Sequence, residues 1–211
     1  MMGGKMDHMK QELDRALVNF FENTSEELNK FIQEISVEQL MIAKELILTS
    51  EESGGRVHVT GIGKPGHVAE YIASLFSSTG TPAYFLDGTE AIHGSSGQVR
   101  SGDIVLSISN SGETEELKKT VETLKKNGAS IISVTGKKHS WLAQNSDCLL
   151  FAGVENEGDS LNKPPRASIL VEVLLLQSLS ILLQEEKGIT NKEYVKWHPG
   201  GKLGQSISAC E

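Results

Sequence analysis

Residues 104–116, IVLSISNSGETEE, restrict the fold more than any other stretch of the chain. Ile104, Val105, Leu106 and Ile108 form a short apolar run bounded by small polar residues, the pattern of a strand buried on both faces of a parallel sheet. After Glu113 the apolar positions change to helical spacing, at Leu117, Val121 and Leu124. Between strand and helix lies Ser109-Asn110-Ser111-Gly112-Glu113-Thr114. Such a loop offers unpaired backbone N–H groups, the positive end of a helix dipole and three hydroxyls, a combination suited to a phosphate dianion. Ser, Thr and Asn are also ordinary helix caps, so the loop alone leaves both readings open.

The same change of period recurs along the chain. Residues 56–60 alternate as a strand and run into Gly61-Ile62-Gly63-Lys64-Pro65-Gly66-His67, followed by a helical pattern through Val68, Ile72, Leu75 and Phe76. Further strands are expected at residues 83–86, at Ser130–Thr135 and at Cys148–Phe151, with a short helix near residues 140–144. Strands alternating with helices predict an α/β domain, a doubly wound five-stranded parallel sheet. In such sheets ligands bind beyond the carboxyl ends of the strands, where the loops that start at Gly61, Asp87 and Ser109 would converge. Ala167–Glu186 reads as an apolar helix interrupted by Glu172, Gln177, Ser178 and Ser180, too short an apolar run for a membrane span and too apolar all round for a one-sided helix. It is expected between the sheet and another subunit.

The first 52 residues read as helices, with capping-box spacings at Thr24 with Glu27 and at Ser36 with Gln39 that predict two restarts. They carry five basic and eleven acidic residues, and the whole chain has a formal charge of −8. That balance argues against a nucleic-acid or anionic-membrane surface. Residues 1–52 are expected to pack, as a helical extension, on a main domain of residues 53–211 or on a partner subunit. Cys148 and Cys210 have neither disulfide-framework nor metal-site spacing, so two reduced thiols, a cytoplasmic setting and no metal are expected.

Several loop residues stand out. Gly61, Gly63 and Gly66 match GxGxxG, a weak dinucleotide signal in which only Asp87 is available as the acid closing the second strand. Lys64 lies between two loop glycines, a position that favours facing a ligand. His93 and Gly94 sit in the loop of residues 87–98, at a strand end where function concentrates. His58, in a strand, and His139, in the polar KKHS loop, read as structural or solvated. His198-Pro199-Gly200-Gly201-Lys202-Leu203-Gly204 has no use in a core and reads as a loop folded over a site.

Taken in order, GIGKPGH, SSTGTP, EAIHG, SISNSGETEE and HPGGKLG resemble a sugar isomerase (SIS) domain, and within that group the arabinose-5-phosphate isomerase family, over roughly residues 56–205. The resemblance implies a flavodoxin-like fold and cofactor-independent aldose–ketose isomerisation of a sugar phosphate, D-arabinose 5-phosphate to D-ribulose 5-phosphate or a related pair. It also implies a cytoplasmic homotetramer with its site between subunits. By position, Ser109, Ser111 and Thr114, with Asn110 and Gly112, match the phosphate loop; Lys64, His93, Glu116, Glu157 and His198 match the catalytic set; Gly63, Thr79 and Gly94 match substrate contacts. Pro65 stands where the family usually has serine, and residues 163–169, KPPRASI, replace a Ser/Thr-rich run. The paired CBS modules that often follow in the family are not within these 211 residues, which fits either a short-form member or a longer chain cut after Glu211. Two alternatives are a 6-phospho-3-hexuloisomerase and a non-catalytic sugar-phosphate sensor.

Overall fold

The computed structural model describes residues 2–200, with side chains from residue 11 onward. Five strands form one parallel sheet: β1 (Val57–Gly61), β2 (Ala83–Asp87), β3 (Ile104–Ile108), β4 (Ser130–Thr135) and β5 (Cys148–Phe151), in the order β2-β1-β3-β4-β5. The register aligns Gly61 of β1 with Asp87 of β2 on one side and with Ile108 of β3 on the other, so three strands end level with one another.

Each strand but the last leads through a helix or turn to the next, and the alternation of side chains divides the core in two. Val57, Val59, Ile104, Leu106, Ile108, Ile132 and Val134 point to one face. There they meet α2 (Val37–Glu52), α3 (Lys64–Ser78) and α6 (Ala167–Glu186). Val105, Ile131 and Leu86 point to the other face, towards α4 (Glu115–Lys126) and the single turn α5 (Trp141–Gln144). The chain continues as α7 (Asn191–Lys196), started by a full capping box between Thr190 and Glu193.

One expectation changes. The first 34 residues do not restart at Thr24: α1 runs unbroken from Met2 to Glu34, about 50 Å at the standard helical rise. Thr24 is buried mid-helix, near the backbone of Gly158 in the loop before α6. The second restart is present, with the Ser36 hydroxyl accepting from the Gln39 amide at 3.2 Å. About half of the apolar α6 is buried within the same chain, against α1, α2, α3 and the sheet-facing core, and Leu170 and Ile181 stay exposed, as the expected contact with another subunit would require.

α2 belongs to the main core and is also fastened by charge. Leu40, Ala43 and Ile47 are buried in the sheet-facing cluster. The ammonium of Lys44, itself buried, reaches Glu186 at the end of α6 at 2.6 Å, and Lys187 reaches Glu51 at 2.6 Å. Because Ile47 is fully enclosed, Ile47→Ala should cost about 2–5 kcal/mol. In urea unfolding we expect one transition with a lower midpoint and an unchanged slope.

Candidate active site

The strand order fixes where a ligand can sit. From β1 the chain moves outward to β2 and then returns to the opposite side of β1 as β3, so the loops after β1 and β3 diverge at the sheet's switch point and leave a crevice between them. The loop after β1 is shaped by close packing. A Cβ on Gly61 would meet the Pro65 backbone, and one on Gly66 would meet the Gly61 carbonyl, while Gly63 has φ +67°. The glycine pattern therefore serves the strand-to-helix turn. Asp87 is drawn into the turn that follows it, its Oδ1 accepting from the amides of Thr89 (2.8 Å) and Glu90 (3.0 Å).

The facing loop, residues 109–114, is held by backbone contacts. Ser109 N–H donates to Val134 O and Gly112 N–H to Ser109 O, while Asn110 O accepts from Gly136 N–H. Gly112 adopts φ +65° and has no room for a side chain, because Ser140 packs against it. Glu113 is spent on structure: Oε1 accepts from Trp141 N–H at 2.7 Å and Oε2 pairs with Lys118 at 2.8 Å, contacts that lower its pKa, the lysine contact most. What remains open is what an anion requires. The amides of Asn110, Ser111 and Thr114, and those of Glu115, Glu116 and Leu117 in the first turn of α4, have no protein acceptor among the described residues. Thr114 occupies the N-cap of α4 without capping it; its hydroxyl lies 3.4 Å from that of Ser109 instead.

Other expected residues fall into two groups. Lys64, the first residue of α3, and Glu116, in the first turn of α4, start the two helices that follow these loops; both are exposed and neither has an ionic partner among the described residues. His93 closes the 3-10 turn Glu90–His93 after β2 and is followed by Gly94 at φ +125°. All of these stand at the carboxyl edge of the sheet. Thr79 does not. It caps the far end of α3, buried, with its hydroxyl donating to Leu75 O at 2.9 Å and lying 3.1 Å from Ser180 Oγ, so it holds α3 to α6.

His198 is also at the far edge. α6 carries the chain about 30 Å across the sheet, and Lys187 then bonds Gly80 O and Thr81 Oγ1 just before β2. Trp197 packs beside Gly80. His198 Nδ1 donates to Tyr194 O at 2.7 Å, and its ring stacks on that of Tyr194 at 4.2 Å. In the neutral ring this hydrogen bond leaves Nε2 with the free lone pair. Residues 201–204 of the expected tail motif lie outside the described residues.

Glu157, buried in the loop before α6, accepts from the amides of Arg166 (2.7 Å) and Ser168 (3.1 Å) and so caps that helix. Below it is a group that no sequence motif marks. Glu172 is fully buried, and neither its carboxylate oxygens nor the Ser168 hydroxyl, one turn earlier, has a hydrogen-bond partner. Burial first, and then the nearby Glu157, push the Glu172 pKa up to about 8. The available signal was an acid, Glu172, inside the long apolar run of residues 169–176.

This sheet order is that of a doubly wound α/β domain, and residues 51–181 match the SIS domain family. The chain belongs to that family. It is 41% identical over 165 residues to arabinose 5-phosphate isomerase KdsD of Pseudomonas aeruginosa, covering 78% of this chain and 50% of that protein. It is 35% identical to a probable arabinose 5-phosphate isomerase of Haemophilus influenzae, covering 98% of this chain and 59% of that one. The structure of an Escherichia coli CFT073 protein in complex with arabinose 5-phosphate superposes with a TM-score of 0.83 at 33% identity, covering 90% of this chain and 98% of that one. The chain spans about half the length of the curated relatives it matches.

Glu172 gives a pH prediction. With its pKa raised from the ordinary 4.5, the group stays protonated in the fold while the unfolded chain ionises, so stability falls as pH rises from about 4.5 to about 8 and levels off above. Thermal melts of Glu172→Gln should lack this component, and the gap between variant and parent melting temperatures should widen over that interval.

Proposed function

We propose that the chain catalyses reversible aldose–ketose isomerisation of a phosphorylated sugar, D-arabinose 5-phosphate to D-ribulose 5-phosphate or a close relative, without a cofactor, as a cytoplasmic enzyme. The observation that carries this reading is the loop at residues 109–114, whose open amides and hydroxyls face the turn bearing Lys64 across the switch point. The similarity to arabinose 5-phosphate isomerases over most of the chain supports it.

In this reading Ser109, Asn110, Ser111, Gly112 and Thr114 hold the phosphate and thereby aim the carbonyl end of the sugar. Moving a carbonyl between C1 and C2 needs a base for the carbon-bound proton, an acid for the oxygen and a positive group for the enediolate. Lys64 anchors the enediolate, Glu116 orients Lys64, and Gly63 and Gly94 let backbone approach the sugar. His93 serves ring opening. Glu157 and His198 are the two candidates for the base. The engagement of Glu157 Oε2 as a helix cap supports giving this role to His198, whose Nε2 is left free by the Tyr194 contact.

The position of His198 at the amino edge of the sheet then has a consequence: it serves the crevice of another copy. The enzyme is accordingly a homo-oligomer, a tetramer in our reading, with sites shared between subunits. Lys64→Ala and His198→Ala should each lower kcat by about 10²–10⁴-fold, the range for losing a group that acts in the transition state. Unfolding and refolding the two variants together should restore activity, because some mixed sites then contain neither defect. If the mixture stays as inactive as its parents, sharing is ruled out.

The chemistry is tested with aldose and ketose phosphates in heavy water. Deuterium entering at C1 or C2 of a pentose 5-phosphate is the expected result. Exchange only with a hexulose phosphate would mean the hexuloisomerase reading, and binding without exchange a sensor.

A further inference from the structure

Across the phosphate loop from the crevice lies a second cavity, of about 460 Å³, lined by Ser111, Glu113, Lys137, Lys138, His139 and Phe151. It lies between the loops after β3 and β4, whereas the crevice lies between those after β1 and β3, so Ser111 stands on the wall dividing the two. In a chain with a formal charge of −8, this cavity gathers two adjacent lysines and a histidine.

Two features separate these cations from an ordinary solvated turn. First, none of them is ion-paired among the described residues: Glu113 on this wall is committed to Lys118 and Trp141, and Glu155, in the adjoining cavity that Lys137 and Lys138 also border beside Glu27 and Glu34, is paired with Lys30. Lys138 lies over the Phe151 ring at 4.6 Å. Second, the turn that carries them is locked to the phosphate loop. Gly136 N–H donates to Asn110 O, Thr135 Oγ1 donates to the same carbonyl at 3.2 Å, and Leu142 N–H donates to Gly112 O. Lys137 N–H donates to Thr135 Oγ1, and Gln144 Nε2 to His139 O. The backbone that carries the lysine pair is thus held at a fixed place beside the loop.

We propose that Lys137, Lys138 and His139 form a second anion subsite, so that the protein binds a small molecule carrying two anionic groups: a phosphate in the loop at residues 109–114, and a second phosphate or carboxylate beyond Ser111. The proposal rests on the phosphate-loop reading above and names a ligand class for the ground beside it. The lysines supply charge, and the exposed Ser111 hydroxyl is the shared contact. A ligand engaging both sides is favoured over a monoanchored one because its second contact is intramolecular.

The test is calorimetry with ribulose 5-phosphate and ribulose 1,5-bisphosphate at low ionic strength, on the full chain and on Lys137→Ala/Lys138→Ala. We expect the parent to bind the bisphosphate at least about tenfold tighter and the double variant to lose that preference, leaving monophosphate affinity within about twofold. 3-Phosphoglycerate, compared with glycerol 3-phosphate, separates a carboxylate-accepting subsite from a phosphate-only one. Equal affinity for the bisphosphate and monophosphate in the parent, or a preference that survives in the double variant, overturns the proposal. A changed sedimentation mass in the double variant overturns it too, by assigning the lysines to contact with a second copy. Failure of the monophosphate itself to bind would instead strike the phosphate-loop reading.

Discussion

The pairing of β1 with β3 is the constraint on which the rest depends. Their register sets Gly61 against Ile108, so the two strands end together and their loops must turn away from one another, one into α3 and the other into α4. Two helix starts are thereby brought to one crevice, with the field of both dipoles directed into it and the open amides supplied by the start of α4. The glycines of the first turn and the hydroxyls of the second are local solutions to being there. Gly61 and Gly66 let backbone cross backbone, and Thr114 leaves its helix uncapped.

Stability is placed away from that edge. Residues from the beginning and the end of the chain are bolted together at the opposite side, where Lys44 meets Glu186 and Lys187 meets Glu51, with Thr79 hydrogen-bonded to the α6 face. The fold's least comfortable group is Glu172, fully buried near Glu157 and without a hydrogen-bond partner, a cost the sheet core must offset.

The sheet was legible because each strand is a short apolar run closed by polar or glycine residues, and all five appear where periodicity places them, within about a residue at their ends. The open polar loop at residues 109–114 was legible for the same reason, since its hydroxyls and free amides lie within six consecutive residues. The misreadings involve distance along the chain. Thr24 has the spacing of a capping box, but neighbours more than a hundred residues away bury it, and tertiary packing decides. Thr79, which resemblance ties to substrate, is shown by the structure to bond Leu75, Phe76 and Ser180 at the far end of α3, a packing role that spacing does not reveal. The burial of Glu172 and the tether from Tyr194 to His198 needed coordinates, because spacing gives neither solvent access nor the direction of a side chain.

The contact between Gly112 and Ser140 reaches further than its size suggests. With no space for even a methyl group at Gly112, the bend after β3 and the turn after β4 interlock like two parts of one casting. Transplanting the hydroxyl-rich bend into another α/β scaffold would fail unless the neighbouring turn travelled with it. Inheritance should obey the same bond: replacements at Gly112 would become tolerable only in lineages where residue 140 had already moved aside.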